Sequence, residues 1–138
     1  MAMKNFILSC FILLLSTQSV AEIAVIANLQ NSQQQLSPLQ VQDIFMGRTR
    51  AFPNGKFAIT FDQQALRNDF YQKLTDRPIA QINAYWARLM FSGQTSPPAK
   101  LPDDQSVIKV VQENAGAIGY INSKNADAQS VRILLILK

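Results

Sequence analysis

The sequence predicts a single α/β domain in which a small mixed sheet of about four strands is covered by helices. Short apolar and β-branched runs of strand length alternate with segments whose apolar residues recur every three or four positions. Their order, β-α-β-α-α-α-β-β, is typical of one sheet packed against helices. Residues 22–138 contain no internal repeat and no linker. A chain of about 117 residues is long enough for one hydrophobic core.

The first 21 residues have the pattern of a secretory signal. Lys4 precedes an apolar run at 6–15, and the small residues Ser19 and Ala21 fit a cleavage site. The run is shorter than the roughly 20 residues that a membrane-spanning helix needs, and Cys10 inside it lies too early for a lipid anchor. We therefore expect residues 1–21 to be a signal peptide and residues 22–138 to be one periplasmic domain, with no membrane insertion after cleavage.

The domain is expected to begin with a buried strand and a capped helix. Residues 22–28 form a short apolar run that predicts the strand. Ser37 and Pro38 mark a helix start, and Gln40 completes a capping-box pattern with Ser37. Gly47 follows the last apolar position and predicts the end of this helix, because glycine readily adopts the left-handed conformation of a C-terminal cap.

A second strand and helix follow a turn that contains Pro53-Asn54-Gly55. Alternating apolar residues from Phe57 to Phe61 predict a strand that delivers Asp62 at its C-terminal end. Apolar residues at spacings of about four then predict a helix that begins near Asp62 or Gln63 and runs to about Thr75.

The sequence of the second half of the domain predicts two more helices and two more strands. The expected segments are, in chain order, a helix from Arg77-Pro78 to Gly93 with Trp86 in the core, a proline-rich loop at Ser96–Pro102, a helix capped by Asp103 or Asp104, and strands at 116–121 and 131–137.

Composition gives little support for catalysis. The chain has no histidine, its single cysteine lies in the predicted signal, and no carboxylates occur at metal-binding spacing. The formal net charge is +4, but the basic residues are scattered rather than gathered into a nucleic-acid stripe. The sequence therefore predicts a protein that is not an enzyme, uses no cofactor or metal and binds no nucleic acid.

The segment Val41–Gly47, taken with Gly116–Tyr120, resembles the periplasmic phosphate-binding protein family. Tyr85, Trp86, Arg88, Phe91 and Gly93 extend the resemblance, which runs from about Leu36 to Ile121. It implies the type 2 periplasmic-binding-protein fold and binding of phosphate or a similar small oxyanion for an ABC transport system. Members of the family close two lobes over their ligand, whereas the length of this chain suggests one lobe.

The candidate ligand-binding residues lie where the second strand meets its helix: Asp62, Gln63, Gln64, Ala65 and Arg67. In open α/β sheets, ligands bind beyond the carboxyl ends of strands, where a helix presents unpaired N–H groups. Arg67 is similar to a basic residue of the family, but the family's hydroxyl residues and glycine are replaced here. Asp62 is also expected as an N-cap that would repel an anion, and Arg67 as an ion-pair partner of Asp62 or Asp69.

Two function classes therefore remain open. The first is a solute-binding-like protein that holds a small oxyanion and works with a membrane transporter. The alternative is an adaptor or sensor-input module that docks on a membrane or envelope partner, since a fold does not fix function and loss of the hydroxyl-rich turn is what such repurposing would produce.

Overall fold

The structure, a computed structural model, describes residues 21–138, so most of the predicted signal peptide lies outside the described residues. The chain forms, in order, β1 (Ile23–Ala27), α1 (Pro38–Phe45), β2 (Ile59–Gln63), α2 (Arg67–Thr75), α3 (Ile79–Phe91), β3 (Ala99–Leu101), α4 (Asp104–Glu113), β4 (Ala117–Asn122), a 3₁₀ turn (Ser123–Asn125) and β5 (Arg132–Leu137). The predicted α/β class is confirmed, with one strand more than expected.

The five strands form one mixed sheet in the order β3-β2-β4-β1-β5. β2 runs parallel to both β3 and β4, whereas β1 runs antiparallel to β4 and β5. Every residue of β1 is buried, as its continuous apolar run predicted. The carboxyl ends of β2 and β4 therefore share one end of the sheet, and β1 ends at the other.

Helices cover both faces of the sheet, so the hydrophobic core has two parts. The larger part joins α1, α2 and α3 to one face and includes Val25, Phe45, Phe70 and Trp86. The smaller part lies under α4 on the opposite face, where Ile26 and other residues of the sheet pack against Val107 and Val111. Successive residues of β1 alternate between the two parts because strand side chains point to opposite faces.

The predicted ends of α1 are confirmed. The Ser37 hydroxyl accepts a hydrogen bond from the Gln40 N–H at 3.2 Å, and the Gln40 side chain accepts one from the Ser37 N–H at 2.8 Å. Gly47 has φ of +71°, the left-handed conformation expected just after the helix. The buried face of α1 consists of Val41, Ile44 and Phe45.

The loop after α3 and the bounds of β2 and α2 differ from the sequence prediction, and the strand expected at Phe57–Phe61 is observed at Ile59–Gln63. The expected loop Ser96–Pro102 contains β3, because Ala99–Leu101 pairs with the end of β2 while prolines flank it. This pairing extends β2 through Gln63, so α2 begins at Arg67 and not near Asp62.

The buried face of α3 is narrower than its apolar stripe predicted. Ile82 and Trp86 are buried as expected, but Met90 is 55% exposed. Among residues 21–138, no helix has the length and apolar character needed to cross a bilayer.

Candidate functional site

The five candidate residues occupy the junction between β2 and α2, but they do not share one environment. Asp62 and Gln63 are the last two residues of β2 and are buried. Gln64 and Ala65 lie in an exposed turn. Arg67 opens α2 and is also buried, with its side chain turned toward the sheet. The junction thus has a buried polar part and an exposed main-chain part.

The buried part is a hydrogen-bonded cluster around Asp62. One carboxylate oxygen accepts hydrogen bonds from the hydroxyls of Tyr71 at 2.9 Å and Tyr120 at 3.0 Å. The other accepts the Nε–H of Arg67 at 3.2 Å, which makes this a buried ion pair. The Arg67 guanidinium also donates to the side-chain oxygen of Asn83 at 2.7 Å. The expected pairing of Arg67 with Asp62 is therefore confirmed.

Burial governs how the cluster titrates. Burial raises the pKa of Asp62, while hydrogen bonds from Tyr71 and Tyr120 and the charge of Arg67 oppose the rise. Burial, together with the nearby charge of Asp62, raises the pKa of Tyr71 and of Tyr120 far above the ordinary phenol range. Both hydroxyls therefore stay protonated and serve as donors to the carboxylate.

Aromatic packing fixes the two tyrosines. The ring of Tyr120 stacks on Phe70 with centroids 3.6 Å apart, and Tyr71 meets Phe70 edge to face at 5.0 Å. The Arg67 guanidinium lies 5.4 Å from the centre of the Tyr71 ring, which adds a cation–π contact. Tyr71, Tyr120 and Asn83 were not among the predicted ligand-binding residues, although Tyr120 ends one of the segments that carry the family resemblance. The four-residue spacing from Arg67 to Tyr71 was the available signal, because such residues share a helix face.

The predicted N-cap role of Asp62 is wrong, because its carboxylate points inward from the strand. Helix α2 instead begins after Leu66 without any side-chain cap. Within the described chain, no acceptor meets the main-chain N–H groups of four residues at this start: Ala65, Arg67, Asn68 and Asp69. Gln64 differs, since its N–H donates to the Leu101 carbonyl at 2.8 Å. The start of α2 consequently presents a group of main-chain donors at the positive end of a helix dipole, and three of the four belong to exposed residues.

The Gln63 side chain is tied to its neighbours. Its amide nitrogen donates to a carboxylate oxygen of Asp104 and to the Tyr120 carbonyl at 3.2 Å. Asp104 also accepts from the Asn125 amide at 2.7 Å. Gln63 thus links β2 to the start of α4. The side chain of Gln64 is exposed and makes no hydrogen bond to the described residues.

The fold matches one part of several solved structures. A phosphate ABC transporter substrate-binding protein from Clostridium perfringens, solved with bound phosphate, superposes with a TM-score of 0.63 at 20% identity, over 83% of this chain and 45% of that one. An ABC-type phosphate transport receptor from Vibrio cholerae gives 0.63 at 18% identity, with 83% and 46% covered. A phosphate-binding protein from Planctomyces limnophilus gives 0.56 at 13% identity, with 83% and 42% covered.

These likenesses establish the fold. The chain spans less than half the length of each of these structures, and its sheet and helices correspond to one lobe of the periplasmic-binding-protein fold. The resemblance read from the sequence is confirmed at this level. No protein-family model and no curated protein matches the sequence.

Proposed function

We propose that this protein is a periplasmic solute-binding protein that holds phosphate or a similar small oxyanion at the start of α2 for an ABC transport system. The exposed, uncapped N-terminus of α2 carries the proposal. Four N–H groups that meet no acceptor among residues 21–138 lie together at the carboxyl end of β2, and such a helix start attracts anions through both its donors and its dipole. The solved structures that share the fold include one with bound phosphate.

The inward position of Asp62 removes the main electrostatic objection to an anion at this junction. Its carboxylate is paired with Arg67 and accepts two tyrosine hydroxyls, so it does not occupy the helix start. Arg67 then acts chiefly as the residue that positions the turn. Asp69 in the first turn of α2 adds a negative charge beside the donors. An open site with this neighbour favours weak binding, because solvent competes for each hydrogen bond.

A charge introduced on the exposed turn tests the proposal. Ala65→Glu places a carboxylate beside the donors, where it repels an anion but leaves the core untouched, and Ala65→Ser is the matched neutral control. We expect phosphate to raise the unfolding temperature of the wild type and of Ala65→Ser at fixed ionic strength, and to raise that of Ala65→Glu much less. Equal increases in unfolding temperature in all three proteins would show that phosphate does not bind at this turn.

Export and a membrane partner belong to the same proposal. A solute-binding protein of this kind would be released into the periplasm after cleavage following Ala21 and would deliver its ligand to a transporter in the membrane. N-terminal sequencing of the protein from a periplasmic fraction tests the first part, and Glu22 is the expected first residue. An intact Met1 on the fractionated protein would contradict export by this route.

A further inference from the structure

A cleft of about 350 Å³ opens along the edge of β2, away from the proposed oxyanion site. Its walls are Gly47, Thr49 and Arg50 in the turn after α1 and the segment Thr95–Pro97 that leads into β3. Its floor includes Thr60 and Trp86. The volume is at the small end of the range for ligand pockets, which suits a compact molecule.

The floor presents an unpartnered main-chain donor. The N–H of Ile59 points toward β4 and bonds to Gly116, whereas that of Ala58 points to the opposite edge and bonds to Arg50. Because these groups alternate along a strand, the N–H of Thr60 points to the same edge as that of Ala58. Within the described residues it finds no acceptor there, since the pairing with β3 begins one residue later, at Phe61.

The Trp86 side chain forms another part of the cleft floor. Trp86 is only 4% exposed, and its indole nitrogen is buried without any hydrogen-bond partner in residues 21–138. A molecule in the cleft therefore does not reach this nitrogen. The part of Trp86 that lies against Gly47 is the edge of the six-membered ring, so such a molecule meets apolar carbon of this side chain.

The remaining walls combine one positive charge with apolar surface. Arg50 is the charged side chain among the lining residues of the described chain, and no acid lines the cleft. The guanidinium makes one long hydrogen bond, 3.3 Å to the Gln94 carbonyl, so most of its donors remain available. Phe57 and Ile59 line the same cleft and are 61% and 42% exposed.

We propose that this cleft binds a small monocarboxylate with a short apolar tail. The unpartnered N–H of Thr60 and the Arg50 guanidinium favour a negatively charged acceptor, and the exposed apolar side chains favour a hydrocarbon group. A peptide strand fits less well, because the free edge offers a single N–H between the Ala51–Phe57 bridge and the start of β3. The proposal does not depend on phosphate binding at α2.

The single tryptophan of the chain makes a direct test possible, because its indole N–H gives one identifiable resonance in a ¹H–¹⁵N spectrum. The protein is titrated with butyrate, with the neutral isostere butyramide and with acetate, at constant pH and ionic strength. We expect a saturable indole shift with butyrate and dissociation constants at least about tenfold weaker for butyramide and acetate, since each lacks one of the two recognised groups. No saturable shift with butyrate, or equal binding of butyramide, would overturn the proposal.

Two arginine variants test whether Arg50 provides the positive charge that binds the carboxylate. Arg50→Gln should weaken butyrate binding about tenfold. Arg48→Gln should leave it unchanged, because Arg48 is paired with Asp43 at 3.1 Å and does not line the cleft. Equal affinity in Arg50→Gln and the wild type would overturn the assignment. An indole shift produced by phosphate and not by butyrate would also overturn it, whereas phosphate binding that leaves the indole unmoved would concern only the α2 site.

Discussion

The direction in which the Asp62 carboxylate points determines whether an anion can bind at the start of α2. An aspartate at the end of a strand often caps the following helix, and in that position it would exclude an anion. Here Tyr71, Tyr120 and Arg67 hold the carboxylate in the interior instead. The sequence identified Asp62 and Arg67 as important, but the choice between cap and buried ion pair depends on Tyr120, which lies 58 residues away.

Removing Arg67 should reveal the cost of an unpaired buried charge. We expect Arg67→Ala to lower the free energy of unfolding by about 3 kcal/mol at pH 7, because the Asp62 carboxylate loses its cation. The pKa of Asp62 is raised in the folded protein, so folding binds a proton and the penalty should shrink as the pH falls toward 5. Urea unfolding of the wild type and of Arg67→Ala at pH 7 and at pH 5 measures this loss of stability. Arg48→Ala is the control, because its ion pair with Asp43 is exposed.

The two buried tyrosines should make the fold sensitive to alkali. Both phenols have a pKa raised by burial in the folded state, whereas unfolded tyrosine ionises near pH 10. Above about pH 10 the folded state therefore binds more protons than the unfolded state, and each tyrosine should reduce stability by about 1.4 kcal/mol per pH unit.

Urea unfolding between pH 9 and 11.5 checks this slope in the wild type and in Tyr71→Phe and Tyr120→Phe. Each single variant should show a shallower decline with pH than the wild type, even where its stability at pH 7 is lower. Identical slopes in all three proteins would mean that neither phenol is kept protonated by the fold.

At the scale of elements, most of the structure could be predicted because local patterns and tertiary packing agree. The capping box at Ser37, the left-handed Gly47 and the buried run of β1 all follow from local rules. Strand β3 could not be predicted, since its three residues become a strand only by pairing with the end of β2. The same pairing moved the start of α2 to Arg67, which changed the candidate site.

Two glycines of the β4 region test how tightly the elements pack. A Cβ at Gly116 would lie 2.7 Å from the carbonyl oxygen of Phe57, and one at Gly119 would lie 2.7 Å from a methyl group of Val107. We expect Gly116→Ala to lower the free energy of unfolding by about 2–3 kcal/mol, and Gly119→Ala by about 1 kcal/mol. The expected difference arises because the Val107 methyl group can move more easily than the backbone carbonyl of Phe57. Urea unfolding gives both values, and the reverse order would contradict this account of the packing.

At the scale of the molecule, the described residues correspond to one lobe of the fold, and the proposed oxyanion site lies at its surface. The structural match covers 83% of this chain, but less than half of each solved protein that shares its fold. The sequence predicted this architecture through motif order, whereas it could not predict the free donors at α2, because they exist only where β2 ends and no side chain caps the helix. A second lobe, from another copy or another protein, would enclose this face and strengthen binding.

Phosphate binding at the start of α2 is tested most directly by a phosphate titration followed residue by residue in ¹H–¹⁵N spectra at constant ionic strength. We expect saturable shifts concentrated on the amides of Ala65, Arg67, Asn68 and Asp69, the donors at the start of α2 that meet no acceptor among the described residues. Sulfate serves as the comparison for selectivity. Shifts that cluster elsewhere, or an absence of saturable shifts at these amides, would contradict the proposed oxyanion site.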